Sequence, residues 1–182
     1  MDRLSAKLQG ISELTGRLTA WLMLPMVIGT FVIVVLRYAF DLGWIWMQES
    51  IVWTHAATFM LAAAYTLKHD EHVRVDIFYR GMSARNKAWV DLTGTLVFLL
   101  PMTIFLAAMS WDYVAVSWQI REGSREAGGL PYPSISLLKT LIPLTSLLLI
   151  LQGIANVLSS VATLLAPGRQ TPQADSNVPG AL

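Results

Sequence analysis

Four stretches of this 182-residue sequence contain no Asp, Glu, Lys or Arg, namely residues 18–36, 50–67, 92–111 and 140–166. They are 19, 18, 20 and 27 residues long, and about 20 helical residues cross a hydrocarbon layer. An ionised side chain at mid-bilayer costs about 3 kcal/mol on insertion scales, so charge-free runs of this length are typical of membrane spans. Because a span must satisfy its backbone internally, these runs predict helices. We predict an all-α integral membrane protein with four transmembrane helices at residues 18–38, 48–67, 90–111 and 137–162.

The composition supports a membrane protein and limits its chemistry. Charged residues make up 14% of the chain, against about 25% in soluble domains, and no segment outside the spans is long enough for a core of its own. We therefore predict one membrane domain, residues 1–166, and a disordered cytoplasmic tail, residues 167–182, which is rich in Pro, Gly and polar residues. The chain has no cysteine, which excludes disulfides, cysteine-ligated metals and a thiol nucleophile. Seventeen residues precede the first run and no A-x-A site follows it, so a cleaved signal peptide is not predicted.

The basic residues are distributed unequally between the two sides of the predicted spans. Nine Lys and Arg lie in the two tails and the middle loop, and four lie in the first and third loops. The positive-inside rule therefore predicts a multi-pass membrane protein with both termini and the middle loop in the cytoplasm. The net charge of +1 and the lack of a basic-aromatic patch argue against a nucleic-acid partner.

Two segments on the cytoplasmic side have interfacial character. Apolar residues recur at helical spacing before the first span, at Leu4, Leu8, Ile11 and Leu14, which predicts a short amphipathic helix on the membrane surface. A loose polar tail is the alternative. In the middle loop, Ser83 follows a Gly-Met turn and is predicted to cap the helix that becomes the third span.

The predicted outer side carries an aromatic first loop and a third loop rich in Gly and Pro. Trp44, Trp46 and Trp53 indicate a belt of aromatic residues at the membrane–water interface. Stacking of these rings on a substrate is the alternative. Arg37 and Glu49 flank the first loop, where we expect them to pair or to contact a partner. The third loop contains EGSREAGGLPYPS, which forbids a continuous helix and serves either as a docking surface or as a connector.

Apart from Ser and Thr, few polar side chains lie at membrane depth. Gln152 and Asn156 are four residues apart on one helical face and are expected to hydrogen-bond between helices, with substrate contact as the alternative. His55 is the only histidine of the four stretches, so a haem would need its second axial ligand from another residue type, and packing is favoured. The His69–His72 run lacks metal-ligand spacing. No catalytic, cofactor or metal site is predicted, and the chain is not expected to be an enzyme.

Three short motifs, in this order, resemble the small membrane (Q-type) subunit of tripartite ATP-independent periplasmic (TRAP) transporters. They are Arg37-Tyr38 followed by Trp46-Met47-Gln48-Glu49; His72-Val-Arg-Val-Asp76; and Ser124…Gly129-Leu130-Pro131. The resemblance extends over residues 15–160. Span two of that family often opens with paired acidic residues, whereas here Gln48 precedes a single Glu49, which argues against a role that needs two carboxylates.

The resemblance implies a function in transport. It implies a large permease subunit that moves substrate and binds Na⁺, a periplasmic binding protein that delivers an organic acid, and membrane lipids as surroundings. It also implies that this chain braces the large subunit and binds no cofactor itself. Structural or interface roles are implied for Arg37, Glu49, His72, Arg74 and Asp76, and a docking role for Ser124, Gly129 and Pro131. A haem-binding anchor of a redox complex and a self-associating pore are the alternatives.

Overall fold

The computed structural model describes the backbone of residues 2–8 and the whole of residues 9–69, 79 and 81–165. Within these residues, five α-helices run in the order α1 Asp2–Phe40, α2 Ile45–Lys68, α3 Ala84–Gly94, α4 Leu100–Gln119 and α5 Ser134–Leu165. A single π-helical turn, Thr95–Leu99, joins α3 to α4, so that Ala84–Gln119 is one continuous helical rod. The described part of the chain contains no strand, and four of its helical segments are long and apolar enough to cross a membrane. The predicted fold class is confirmed.

The π-helical turn lies directly before a proline of the third span. Pro101 has no N–H to donate to the preceding turn, and its ring would collide with the carbonyl four residues earlier. The Leu100 amide donates to Thr95 O in the wider π pattern, just ahead of Pro101. The hydroxyl of Thr103 then donates to Leu99 O at 2.8 Å, which supplies a side-chain bond beside the irregular turn.

The first helix differs from the separate surface segment predicted before span one. Residues 2–40 form one uninterrupted helix, since no proline interrupts them before Pro25 and the first part of the helix is held by the bundle. Ser12 is buried and donates to Gln152 of α5 at 2.7 Å. Glu13 accepts from Lys68 of α2 at 2.6 Å. The N-terminal turns therefore pack on other helices and continue the first span.

Helix α5 is the centre of the bundle. It packs against α1, α2, α3 and α4, while α1 and α2 also pack on each other and α3 and α4 pack mainly along α5. In the most apolar window of α5, 39% of the residues are buried, against 6% in that of α1. The other helices therefore present broad apolar faces to their surroundings.

Small residues bring the helices together. Ala57, Ala64 and Ala155 are almost completely buried, as are Ser117 and Ser136. Small residues let helix backbones approach in lipid, where association depends on close packing. The core of this bundle is therefore built from alanine, glycine and hydroxyl side chains, and most large apolar residues point outward.

Gly16 lies at a close approach of α1 to α2. A Cβ at this position would lie 2.1 Å from Cδ2 and 2.7 Å from Cβ of Tyr65, too near the Tyr65 backbone for the ring to swing away. We expect Gly16→Ala to separate the two helices and to lower the free energy of unfolding by about 1–3 kcal/mol. Thermal unfolding of the purified protein in detergent measures this loss.

The matched control for Gly16 is Gly10 in the same helix, where an added Cβ would meet nothing within 4 Å. Gly10→Ala should leave the unfolding temperature unchanged or raise it, because alanine favours a helix by about 1 kcal/mol over glycine. Equal effects at the two positions would contradict the packing of α1 on Tyr65.

The bundle has two distinct ends. The loop end carries residues 41–44 and 120–133, and the terminal end carries the N-terminus of α1, the start of α3 and the end of α5. Ser83 caps α3 at the terminal end, where its Oγ accepts from the Asn86 amide at 3.4 Å. The predicted helix start is confirmed. The predicted tail, residues 167–182, lies outside the described residues.

Candidate functional site

The carboxylate of Glu49 holds the third loop against the start of α2. Glu49 Oε2 accepts from the Leu130 amide at 2.6 Å, and Glu49 Oε1 accepts a short hydrogen bond from the Ser124 hydroxyl. Both partners are more than 70 residues away in sequence. One acidic side chain in the first turns of α2 thus fixes both edges of the 124–130 segment, which we call the docking loop.

Backbone hydrogen bonds close the docking loop on itself. The Ser124 amide donates to Leu130 O at 2.9 Å, and the Gly129 amide donates to Glu126 O at 3.0 Å. Gly128 has a φ of 80°, which glycine adopts without strain. Its carbonyl accepts from the Trp46 amide at 3.2 Å, so the docking loop is also tied to the first turn of α2.

Gly129 is required by the closeness of the Glu49 carboxylate. A Cβ on Gly129 would lie 2.3 Å from Ser124 Oγ and 2.7 Å from Glu49 Oε2. No side chain fits there without displacing the groups that hold the loop. Gly128 therefore allows the turn, and Gly129 allows the close approach of the Glu49 carboxylate.

Trp53 and Pro131 connect the docking loop to the start of α5. The Trp53 indole donates to Ser134 O at 2.9 Å. Pro131 O accepts from the Ser134 amide at 3.1 Å and from the Ser134 hydroxyl at 2.6 Å. Pro131, Tyr132 and Pro133 are exposed beyond these contacts and add to the surface of the loop end.

Five of the sequence-predicted residues meet in this one site: Glu49, Trp53, Ser124, Gly129 and Pro131. Arg37 does not join them. Its expected pair with Glu49 is not formed, because Glu49 faces the docking loop while Arg37 lines a separate groove of about 330 Å³ with Asp41 and Gln48. His72, Arg74 and Asp76 lie outside the described residues.

Gln152 and Asn156 act inside the bundle. Gln152 is 1% exposed, accepts from the Ser12 hydroxyl of α1 at 2.7 Å and donates to Asn156 Oδ1 at 3.0 Å. Gln152 thus joins α1 to α5 and does not line an outer surface. Asn156 is half-buried and borders a cavity of about 440 Å³ at the terminal end, together with Lys68 and Asp91.

A second polar cluster at the loop end was not predicted. Glu122 Oε2 accepts from Lys139 Nζ at 2.5 Å and from the Ser117 hydroxyl at 2.7 Å. Lys139 also lies 4.0 Å above the Tyr113 ring. The sequence does place an acidic residue, Glu122, and a basic residue, Lys139, at the two ends of the third loop. Many unpaired surface residues have the same arrangement, so the pair could not be identified from it.

A third cluster joins α1 to α2 at the terminal end. Glu13 binds Lys68 at 2.6 Å and Arg17 at 3.0 Å. The Glu13–Arg17 pair is a local contact within α1, whereas the Glu13–Lys68 pair depends on how α1 and α2 pack against each other. Within the described residues, no group of three or more His, Asp or Glu side chains is arranged to hold a metal ion.

The Glu122 cluster makes the loop end sensitive to acid. Hydrogen bonds from Lys139 and Ser117 hold the pKa of Glu122 below its ordinary value, because they favour the charged form. A lowered pKa in the folded state adds stability that is complete above the ordinary carboxyl pKa, about 4.3, and is lost as the pH falls through the folded-state pKa. We expect the unfolding temperature of Glu122→Gln to lie below wild type at pH 7 and to approach it near pH 3.

The control for this pH dependence is Glu126→Gln. Glu126 lies in the docking loop and contributes backbone bonds only, among the hydrogen bonds of the described residues. Its variant should follow the wild-type curve over the whole range. Thermal unfolding monitored by tryptophan fluorescence from pH 7 to pH 3 gives both curves, and an unchanged gap between Glu122→Gln and wild type would contradict the assignment.

The comparisons with known proteins agree with this architecture. The sequence model described as "Tripartite ATP-independent periplasmic transporters, DctQ component" matches residues 26–163. The match includes α2, the π-helical turn, α4, the docking loop and nearly all of α5. No curated protein and no solved structure matches the chain. Since the matched segment is well over half of the sequence and contains the whole loop-end site, the chain belongs to the DctQ component family of tripartite ATP-independent periplasmic transporters.

Proposed function

We propose that this small permease subunit braces the large membrane subunit of its transporter during sodium-coupled uptake of an organic acid. The observation that carries the proposal is that residues 18–36, 50–67, 92–111 and 140–166 contain no Asp, Glu, Lys or Arg. Coupled transport by a chain alone usually needs such a residue within the membrane. A subunit without one is suited to anchoring and packing, and Na⁺ is then bound by the partner.

The broad outward faces of the helices support a bracing role. Large apolar side chains are exposed along α1 and α4, including Trp21, Phe31, Phe98 and Phe105. Such faces rest in lipid and anchor the bundle in the bilayer. Because α5 packs against each of the other described helices, a force on one outer face acts on the bundle as a unit.

The docking loop supports contact with a periplasmic binding protein. The distribution of basic residues predicts that the loop end faces the periplasm of a bacterial inner membrane. Glu49 orders the docking loop before any partner arrives, which reduces the entropy lost on binding. The exposed Pro131–Pro133 segment adds a surface with few internal degrees of freedom.

Co-expression tests the proposed function. The chain should co-purify with the large subunit of the same transporter in mild detergent, and its deletion should abolish uptake of the organic acid. The control is an unrelated four-span protein of similar size under the same tag. If the large subunit is recovered equally with that control and uptake survives the deletion, the proposal is wrong.

The haem-anchor alternative is not favoured. The family is one of transporter components, and His55 lies on an exposed face of α2. An absorption spectrum of the purified protein provides the check, since a Soret band that disappears in His55→Ala would support the redox alternative. The pore alternative is not favoured, because the Gln152 side chain accepts a hydrogen bond from Ser12 and donates one to Asn156 inside the bundle.

A further inference from the structure

His55 is the only histidine of the four charge-free stretches, and it points away from the bundle. It is exposed on α2, between Val52 and Phe59, which are 65% and 75% exposed. These three residues share one helical face. The His55 ring forms no hydrogen bond within the part of the chain that the structure describes. Its ring nitrogens are therefore free to bind a group of another molecule.

The depth of His55 makes exposure to lipid unfavourable. It lies six residues after Glu49 and thirteen before Lys68, or about 9 Å and about 20 Å along a helix. Both charged residues are engaged at the two ends of the bundle, so the ring lies between them at hydrocarbon depth. Ionisable side chains at this depth, histidine included, almost always face protein or a water-filled cavity.

The outward faces of the other helices are different. Val27 on α1 is 62% exposed, and Phe105 on α4 is 58% exposed, among apolar neighbours. Thr30 is also exposed on α1, but its hydroxyl donates to Met26 O of the same helix at 2.8 Å. The Thr30 hydroxyl is hydrogen-bonded within its own helix, so the α1 and α4 faces can rest in lipid. The α2 face carries the His55 ring without such a bond and is not suited to lipid.

The α2 face continues into a groove at the loop end. The groove has a volume of about 500 Å³, and its lining includes Ile45, Val52, Leu130 and Leu138. Val52 belongs to both features. Ala56 and Ala63 are half-buried beside the exposed stripe, and such small residues permit close helix approach. A straight helix laid along α2 would thus cover His55 and fill the groove with its outer end.

We propose that the α2 face formed by Val52, His55 and Phe59, with the adjoining groove, binds a transmembrane helix of the large permease subunit. The partner helix presents a hydroxyl, amide or carboxyl group to the His55 ring. The inference rests on the proposed function, because the family description makes this chain one component of a tripartite transporter. The large subunit is chosen as occupant because the family is described as one component of a tripartite transporter, whereas a second copy of this chain would pair His55 with His55 and is distinguished by the crosslinking test.

Cysteine-directed photocrosslinking tests the surface directly, since the native chain has no cysteine. Val52→Cys and Phe59→Cys, labelled with a benzophenone maleimide in the co-expressed complex, should each give a crosslink to the large subunit. Val27→Cys and Phe105→Cys are matched controls of the same residue type and similar exposure, and they should give none. Crosslinks from the two controls alone, or only between two copies of this chain, would overturn the proposal.

His55 variants test the polar contact itself. His55→Phe keeps the ring and removes the hydrogen bond, and should reduce recovery of the large subunit roughly three- to thirty-fold, the range expected for one hydrogen bond between membrane helices. His55→Gln should restore most of the recovery, and Thr30→Val should have no effect. If the wild-type chain recovers the large subunit and His55→Phe recovers it equally well, the His55 contact is wrong and the proposed function is unaffected. Failure of the wild-type chain to recover the large subunit would instead reject the proposed function, and this surface with it.

Discussion

Glu49→Gln should reduce uptake by the assembled transporter about tenfold or more, while the variant still inserts and co-purifies with the large subunit. The Glu49 carboxylate accepts from the Leu130 amide and the Ser124 hydroxyl with its two oxygens. Glutamine has one acceptor oxygen, and its NH₂ group would face one of these two donors. Hydrogen bonds to charged groups are among the stronger ones, and an opposed donor is worse than a lost bond.

The matched control is Asp112→Asn, which removes one carboxylate charge from the loop-end half of α4. The Asp112 side chain is exposed and lies outside the docking loop and the adjoining groove. Uptake should stay near the wild-type rate in this variant. The measurement is the initial rate of uptake of labelled substrate, normalised to the large subunit in the membrane. Equal losses in the two variants would show that charge at the loop end matters and the loop geometry does not.

Gly129→Ala should have an effect of similar size by a steric route. Its Cβ would lie within 2.7 Å of both the Ser124 hydroxyl and the Glu49 carboxylate, and neither group can move without losing the bond between them. The docking loop should therefore detach from α2. We expect an uptake loss comparable to that of Glu49→Gln, accompanied by weaker binding of the periplasmic binding protein to the purified membrane complex.

Gly43→Ala is the control for Gly129. Gly43 lies in the other connection of the loop end, and an added Cβ there would meet nothing within 4 Å. Its uptake rate should be unchanged. Because Glu49 and Gly129 act on the same contact, Glu49→Gln combined with Gly129→Ala should lose no more activity than the stronger single variant. Additive losses would mean that the two residues serve separate functions.

The membrane architecture could be predicted because the bilayer excludes charge over long, continuous runs. Every predicted span lies within one helical segment of the structure. The Ser83 cap and the helix-free third loop were also predictable, since hydroxyl caps and Gly-Pro clusters act on their immediate neighbours. These are local effects, and they do not depend on how the helices pack.

The contacts between helices could not be predicted in the same way. Glu49 was identified as important, but its expected partner, Arg37, is close in sequence, whereas its actual partners are Ser124 and Leu130. The Glu122–Lys139 pair and the Ser12–Gln152 bond likewise depend on helix orientation. The continuity of α1 depends on packing of its N-terminal part against α2 and α5, which no local pattern in residues 2–17 reveals.

Reconstitution into vesicles with an imposed sodium gradient tests the central claim most directly. Substrate accumulation should require this chain, the large subunit and the periplasmic binding protein together, and vesicles holding this chain alone should stay at background. Accumulation of solute against a gradient by the lone chain would contradict the account, because it would show that a subunit with no Asp, Glu, Lys or Arg in its four charge-free stretches drives transport by itself.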